Sequence, residues 1–97
     1  MKLEVDLFIP VLKLAIEIDG PSHFLPIWGE EKLASNIKAD KQKNALLHSR
    51  GCSVIRVQIV KKNMSDKIAR DVLAQLIATI KQVEANPTPQ IIYLEVK

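Results

Sequence analysis

Residues 12–19, Leu-Lys-Leu-Ala-Ile-Glu-Ile-Asp, constrain the fold more than any other stretch of the chain. Leu12, Leu14, Ile16 and Ile18 recur at every second position, the period of a strand with one apolar face. Glu17 and Asp19 then share the opposite face. Residues 3–9, Leu-Glu-Val-Asp-Leu-Phe-Ile, open with the same alternation and are broken by Pro10. So short a connection leaves an antiparallel hairpin as the expected pairing.

The rest of the chain reads as helices alternating with strands. Gly20-Pro21-Ser22 is a turn and residues 23–29 are irregular, with Pro26 and Gly29 as breakers. Glu30 to about Arg50 reads as a helix, acidic at its start and followed by Gly51, with a break allowed near Ser35-Asn36. Residues 53–60 are β-branched and strand-like. Ser65 is placed to cap a helix running to about Glu84, with Ile68, Val72, Leu76, Ile80 and Val83 on one stripe. Asn86-Pro87-Thr88-Pro89 ends it, and residues 90–96 form a last strand. The expected order is β-β-α-β-α-β, an α/β (α+β mixed-sheet) fold. An antiparallel hairpin is followed by parallel strands reached through right-handed crossovers, with flanking helices.

Ninety-seven residues suffice for one domain, 1–97. The net charge of +3 permits nucleic-acid binding without requiring it, and 4% aromatic residues exclude an extended stacking platform. The single cysteine, Cys52, excludes an internal disulfide and a cysteine-based zinc site, and is expected to be a small buried residue. No apolar run reaches the ~18 residues of a membrane helix. The charged N-terminus is unlike a signal peptide, so a cytoplasmic, intracellular location without membrane contact is expected.

Chemistry concentrates on the hairpin. With its centre near residues 9–12, Asp6 comes within reach of Glu17, and three carboxylates gather beside Gly20. Such anions repel unless a cation neutralises them, and oxygen ligands suit Mg²⁺ or Mn²⁺. The plain alternative is a solvated polar face, and it is accepted for Glu4 and Lys13. Leu33, Ile37, Asp40, Asn44 and Leu47 fall on one helical stripe, so Asp40 and Asn44 interrupt its apolar face, with Lys43 beside them. Their natural partner is the carboxylate cluster. A helix rotated to bury Ala39 and Leu46 is the alternative. His23 follows Gly20 by three residues and suits a general acid or base, although a lone histidine is more often structural. His48 reads as a surface residue or a partner of the helix dipole. Lys32, Lys38, Lys41 and Lys43, with Arg56, Lys61 and Lys62, form a basic side fit for phosphate or for solvent alone. Phe24 and Trp28 are expected to anchor the loop by packing.

Val5-Asp6-Leu7, the run from Leu14 to Phe24 and the spaced set Asp40, Lys43, Asn44, Leu47, Gly51, Val54, Ile55 and Arg56 resemble PD-(D/E)xK nucleases of the very-short-patch-repair type. The likeness points to phage- and intron-associated homing endonucleases with an E-D-x-H-D active-site pattern, and covers about residues 3–57. The Glu17–Phe24 string also resembles RAP domains of RNA-associated proteins. The nuclease resemblance implies a restriction-endonuclease-like core and Mg²⁺-dependent (or Mn²⁺-dependent) hydrolysis of double-stranded DNA. The products carry a 3′-hydroxyl and a 5′-phosphate. It makes Asp6, Glu17, Asp19, His23, Asp40 and Lys43 the catalytic set. Asp6, Glu17, the Ile18 carbonyl and Asp19 become the metal ligands, and Lys41, Asn44 and Arg56 the nucleic-acid contacts. Two departures stand out. Asp19 occupies the position of the motif lysine, so Lys43 or His23 must compensate. A helix that usually carries a further glutamate before the first strand is expected to be missing. A homodimer is expected if both DNA strands are cut. The alternatives are a RAP-like RNA-binding or RNA-processing module and a non-catalytic domain of the same fold.

Overall fold

The computed structural model describes residues 5–23, 25–59 and 65–96. Strand β1 (Leu7–Ile9) pairs antiparallel with β2 (Leu14–Asp19). Helix α1 (Glu30–Ser49) leads to β3 (Ser53–Ile59), and helix α2 (Asp66–Ala85) leads to β4 (Ile91–Val96). The sheet order is β1-β2-β3-β4, with β2, β3 and β4 mutually parallel. Among the described residues the fold is thus a mixed α/β structure built on one four-stranded sheet and two helices.

The hairpin forms where the alternation placed it, but with a longer corner. Pro10–Leu12 make a single 3-10 turn, and Lys13 closes it in the left-handed region at φ 49° while its N–H bonds to the Pro10 carbonyl. Leu12 and Lys13, expected in the second strand, are spent on this corner. At the other end, Asp6 lies in a bend before β1; Leu3 and Glu4 lie outside the described residues, as do Phe24, Val60, Lys61 and Lys62.

Register assigns each sheet face to one helix. Leu14, Ile16, Ile55, Val57 and Val96 form a core with Val83, while Ile68, Val72, Leu76 and Ile80 of α2 pack against it. The opposite face offers Ala15 and Val54 to Leu47 of α1 and to Cys52, which is buried as expected. Both crossovers step the same way across the sheet, yet their helices lie on opposite faces. They therefore have opposite hands, and the right-handed rule holds for one only. Two right-handed connections would have stacked both helices on one face and left the other apolar face in water.

Helix α1 ends in a Schellman arrangement. Gly51 takes φ 79°, its N–H bonds to the His48 carbonyl, and the Cys52 N–H bonds to Leu47. The helix runs unbroken past Ser35-Asn36. At the start of α2, the Ser65 Oγ accepts the Ile68 N–H at 3.2 Å. Ser65→Ala is expected to cost about 1 kcal/mol. Thermal denaturation should then show a Tm lower by roughly 4–8 °C.

Among the described residues, no helix is long and apolar enough to cross a membrane. Trp28 departs from the expected packing role, since it is 74% exposed. The turn over residues 27–28 carries it away from both cores.

Candidate active site

The side of the sheet facing α1 turns polar toward the C-terminal ends of its parallel strands. Ala15 and Val54 are apolar, but the next residues on that face are Glu17 and Asp19 on β2, Arg56 and Gln58 on β3, and Tyr93 on β4. Open parallel sheets bind ligands at these strand ends. Helix α1 lays the expected stripe over them. Asn44 and Leu47 are buried and Asp40 half-buried, whereas Ala39 is exposed, which rules out the rotated alternative.

Arg56 organises the centre. Its side chain is 1% exposed, and a guanidinium is costly to bury unless every N–H finds a partner. Nη1 lies 3.0 and 3.1 Å from the two Asp19 carboxylate oxygens and 3.5 Å from Oδ1 of Asp40. Nε donates to Oδ1 of Asn44 at 2.5 Å, and Nη2 reaches the Asp40 carbonyl at 3.4 Å. Asn44 passes the network on, donating from Nδ2 to the Tyr93 hydroxyl at 3.2 Å. One cation thus ties β2, β3 and β4 to the middle of α1.

His23 sits on the short turn after Gly20, with Nδ1 2.7 Å from Oδ2 of Asp40 and 3.9 Å from Oδ1 of Asp19. A carboxylate only accepts, so the short bond places a proton on Nδ1. A neutral ring held this way carries its acceptor at Nε2. Ligand atoms of Asp19, His23 and Asp40 lie within 4.8 Å of one another.

The second half of the site lies at the outer edge of β2. Pairing with β1 stops at Leu7 opposite Ile16, and the Ile18 N–H beyond it is taken by Oδ2 of Asp6 at 2.7 Å. In return the Asp6 N–H donates to Oε1 of Glu17 at 3.1 Å. An extended residue sends its N–H and C=O to the same neighbour, so the Ile18 carbonyl faces the edge that Asp6 occupies. Oε2 of Glu17 lies 3.3 Å from Nζ of Lys43, which reaches down from α1.

The expected acidic trio is therefore divided. Asp6 and Glu17 come together with Ile18 and Lys43, while Asp19 turns to Arg56, Asp40 and His23. Glu17 and Asp19 are two residues apart on one face, so the halves adjoin. Asp6, Glu17, Asp19 and Asp40 supply four negative charges against the two of Lys43 and Arg56. With His23 neutral the cluster is left at −2. That surplus, on carboxylate and carbonyl oxygens, fits one hard divalent cation.

Of the three residues assigned to nucleic acid, Lys41 is exposed, whereas Asn44 and Arg56 are buried within the network. A cleft of about 340 Å³ opens beside them between α1 and β4, with Tyr93 and Gln58 on its sheet side and Ile37 and Lys41 on its helix side. Tyr93 and Gln58 drew no attention in the sequence. The signal for Arg56 was present, because a charge inside a β-branched strand between two covering helices must have a buried partner. Tyr93 offered no such signal, since one tyrosine in a strand is ordinary. Comparison with protein-family models, with curated proteins and with solved structures returns no significant match.

Proposed function

We propose that this chain is a metal-dependent nuclease of the PD-(D/E)xK kind, hydrolysing phosphodiester bonds of DNA. The observation that carries the reading is the contact between Lys43 and Glu17, on a carboxylate that also bonds to Asp6. The motif lysine is missing from β2, where Asp19 stands, and a lysine from α1 supplies an ammonium at the same acidic pair.

Asp6, Glu17 and the Ile18 carbonyl are the groups that would hold Mg²⁺ or Mn²⁺. A bound ion would lower the pKa of a coordinated water and stabilise the negative charge that develops on the phosphate oxygens. Glu17 receives the Lys43 ammonium, which would offer a positive charge to a nucleophile activated at that carboxylate. Asp40 fixes the His23 ring and its tautomer, so that Nε2 of the neutral ring takes up a proton. Arg56 holds Asp19 and Asp40 in place and does not need to meet the substrate. Lys41, exposed on α1, is the group suited to a flanking phosphate.

Supercoiled plasmid with Mg²⁺ or Mn²⁺ tests the reading. The wild type should relax or linearise it, and chelation should stop the reaction. Lys43→Met should lower the rate by about 10²-fold or more, the usual contribution of a positioned group in proton transfer. Its circular dichroism should be unchanged, because Lys43 is partly exposed. A Lys43→Met enzyme as fast as the wild type would remove the ground for the proposal. Failure to cut DNA, together with tight RNA binding, would transfer the fold to the RNA-binding class.

A further inference from the structure

We propose that the cleft between α1 and β4 receives one unpaired nucleobase, so that the substrate presents a single-stranded or extruded nucleotide beside the carboxylate cluster. The inference rests on the nuclease reading for the ligand being a nucleic acid.

Three observations on the cleft converge. The first is its size. About 340 Å³ lies at the low end of the ~300–1,000 Å³ of small-ligand pockets. It has room for a nucleotide but not for a duplex. The second is its charge. Asp19 and Asp40 on its lining are balanced by Arg56 and Lys41, so it attracts neither a phosphate nor a metal ion on charge alone. With the exposed Lys41 counted to the cleft, the neighbouring Asp6–Glu17 edge, offset by Lys43 alone, keeps one surplus negative charge.

The third is the chemistry of its walls. Tyr93 is 53% exposed on β4, and Ile37 is 40% exposed on α1 across from it. The Tyr93 hydroxyl is held by Asn44, which is itself held by Arg56. The ring is therefore fixed at its tip and leaves carbon surface toward the opening. Between the walls, Gln58 brings a side-chain amide that donates and accepts, as the edge of a base requires. An aromatic ring, an aliphatic wall and an amide suit a flat, neutral, hydrogen-bonding ring system. A base within a duplex cannot present its face to Tyr93. On duplex DNA the fit requires one nucleotide to leave the stack.

The test reads binding in EDTA, where hydrolysis cannot occur. Fluorescence anisotropy of the full chain is measured against a labelled 12-nucleotide single strand, the same sequence as a duplex, and a single strand of equal charge with abasic positions. The base-bearing single strand is expected to bind at least about tenfold tighter than either control. Tyr93→Ala is expected to lose about tenfold on that strand and nothing on the abasic one, the scale of one stacked base. Tyr93→Phe should stay within about threefold of the wild type. Ile37→Ala, on the opposite wall, tests the same slot should Tyr93→Ala fail to fold. Equal affinity for the base-bearing and abasic strands overturns the inference. So does Tyr93→Ala, or Ile37→Ala in its place, binding as well as the wild type, and so does the absence of binding to every probe. Cleavage is scored separately, so a base slot on a protein that cuts nothing, and a nuclease without a base slot, give different results.

Discussion

Arg56→Met is expected to destabilise the fold by about 3–5 kcal/mol, the range for removing one partner of a buried ion pair. The guanidinium is 1% exposed and Asp19 2% exposed, so the carboxylate left behind cannot recover its hydration. Oδ1 of Asn44 loses its donor in the same step. Domains of this size are stable by only ~5–15 kcal/mol. At roughly 4–8 °C per kcal/mol the Tm should fall by tens of degrees. Urea denaturation at neutral pH measures the change. The double variant Arg56→Met/Asp19→Leu should recover much of the loss, since an apolar pair in place of a buried ion pair is often neutral or better. A single variant within ~0.5 kcal/mol of wild type would show that Arg56 is not a buried clamp. A double variant no better than the single would mean that Asp19 is not its principal partner.

Asp6→Asn is expected to abolish cleavage, by about 10³-fold or more, with little effect on the fold. The asparagine amide oxygen still accepts the Ile18 N–H that Oδ2 of Asp6 accepts now. Only a charge is removed, and the cluster goes from −2 to −1. Metal-assisted hydrolysis draws several kcal/mol from charge stabilisation, and each 1.36 kcal/mol is tenfold in rate. The same substitution should show in binding without turnover. A ligand that binds only the folded state raises Tm by mass action. Millimolar Mn²⁺ or Mg²⁺ should therefore raise the Tm of the wild type but not that of the variant. Without metal the variant should be as stable as wild type or slightly more so, because one like charge has gone. Undiminished cleavage, or an equal metal-dependent rise in Tm, would remove Asp6 from the ion's shell.

Much of this architecture was open to reading in the one-dimensional pattern, for physical reasons that differ by element. The alternation over 12–19 demands a two-faced strand, and Pro10 demands a corner before it. The stripe through Leu33, Asp40, Asn44 and Leu47 identified the helical face that meets the sheet, because polar residues on an otherwise apolar face imply a buried polar partner. Gly51 and Ser65 marked their helix ends by capping chemistry. The placement of Asp6 next to Glu17 followed from hairpin register alone.

The partners of Asp19 did not follow from it. On β2 alone, Asp19 and Glu17 are equivalent, two carboxylates on one face with the same claim on a metal. Parallel pairing of β3 sets Arg56 opposite Glu17 and Gln58 opposite Asp19 in register. The long Arg56 side chain then leans along the strand to Asp19, while Lys43 descends on Glu17. Register between strands more than thirty residues apart, and the rotation of a helix above them, decide which cation meets which anion. Neither quantity is local. The sequence by itself determined the elements, their polar faces and the hairpin that joins Asp6 to Glu17, because these depend on periodicity and on contacts near in the chain. Only the tertiary structure decided the division of the acidic trio, the partners that Arg56 finds, the opposite hands of the two crossovers and the cleft beside Tyr93. Each of these depends on how distant surfaces pack, and no short stretch of residues carries that information.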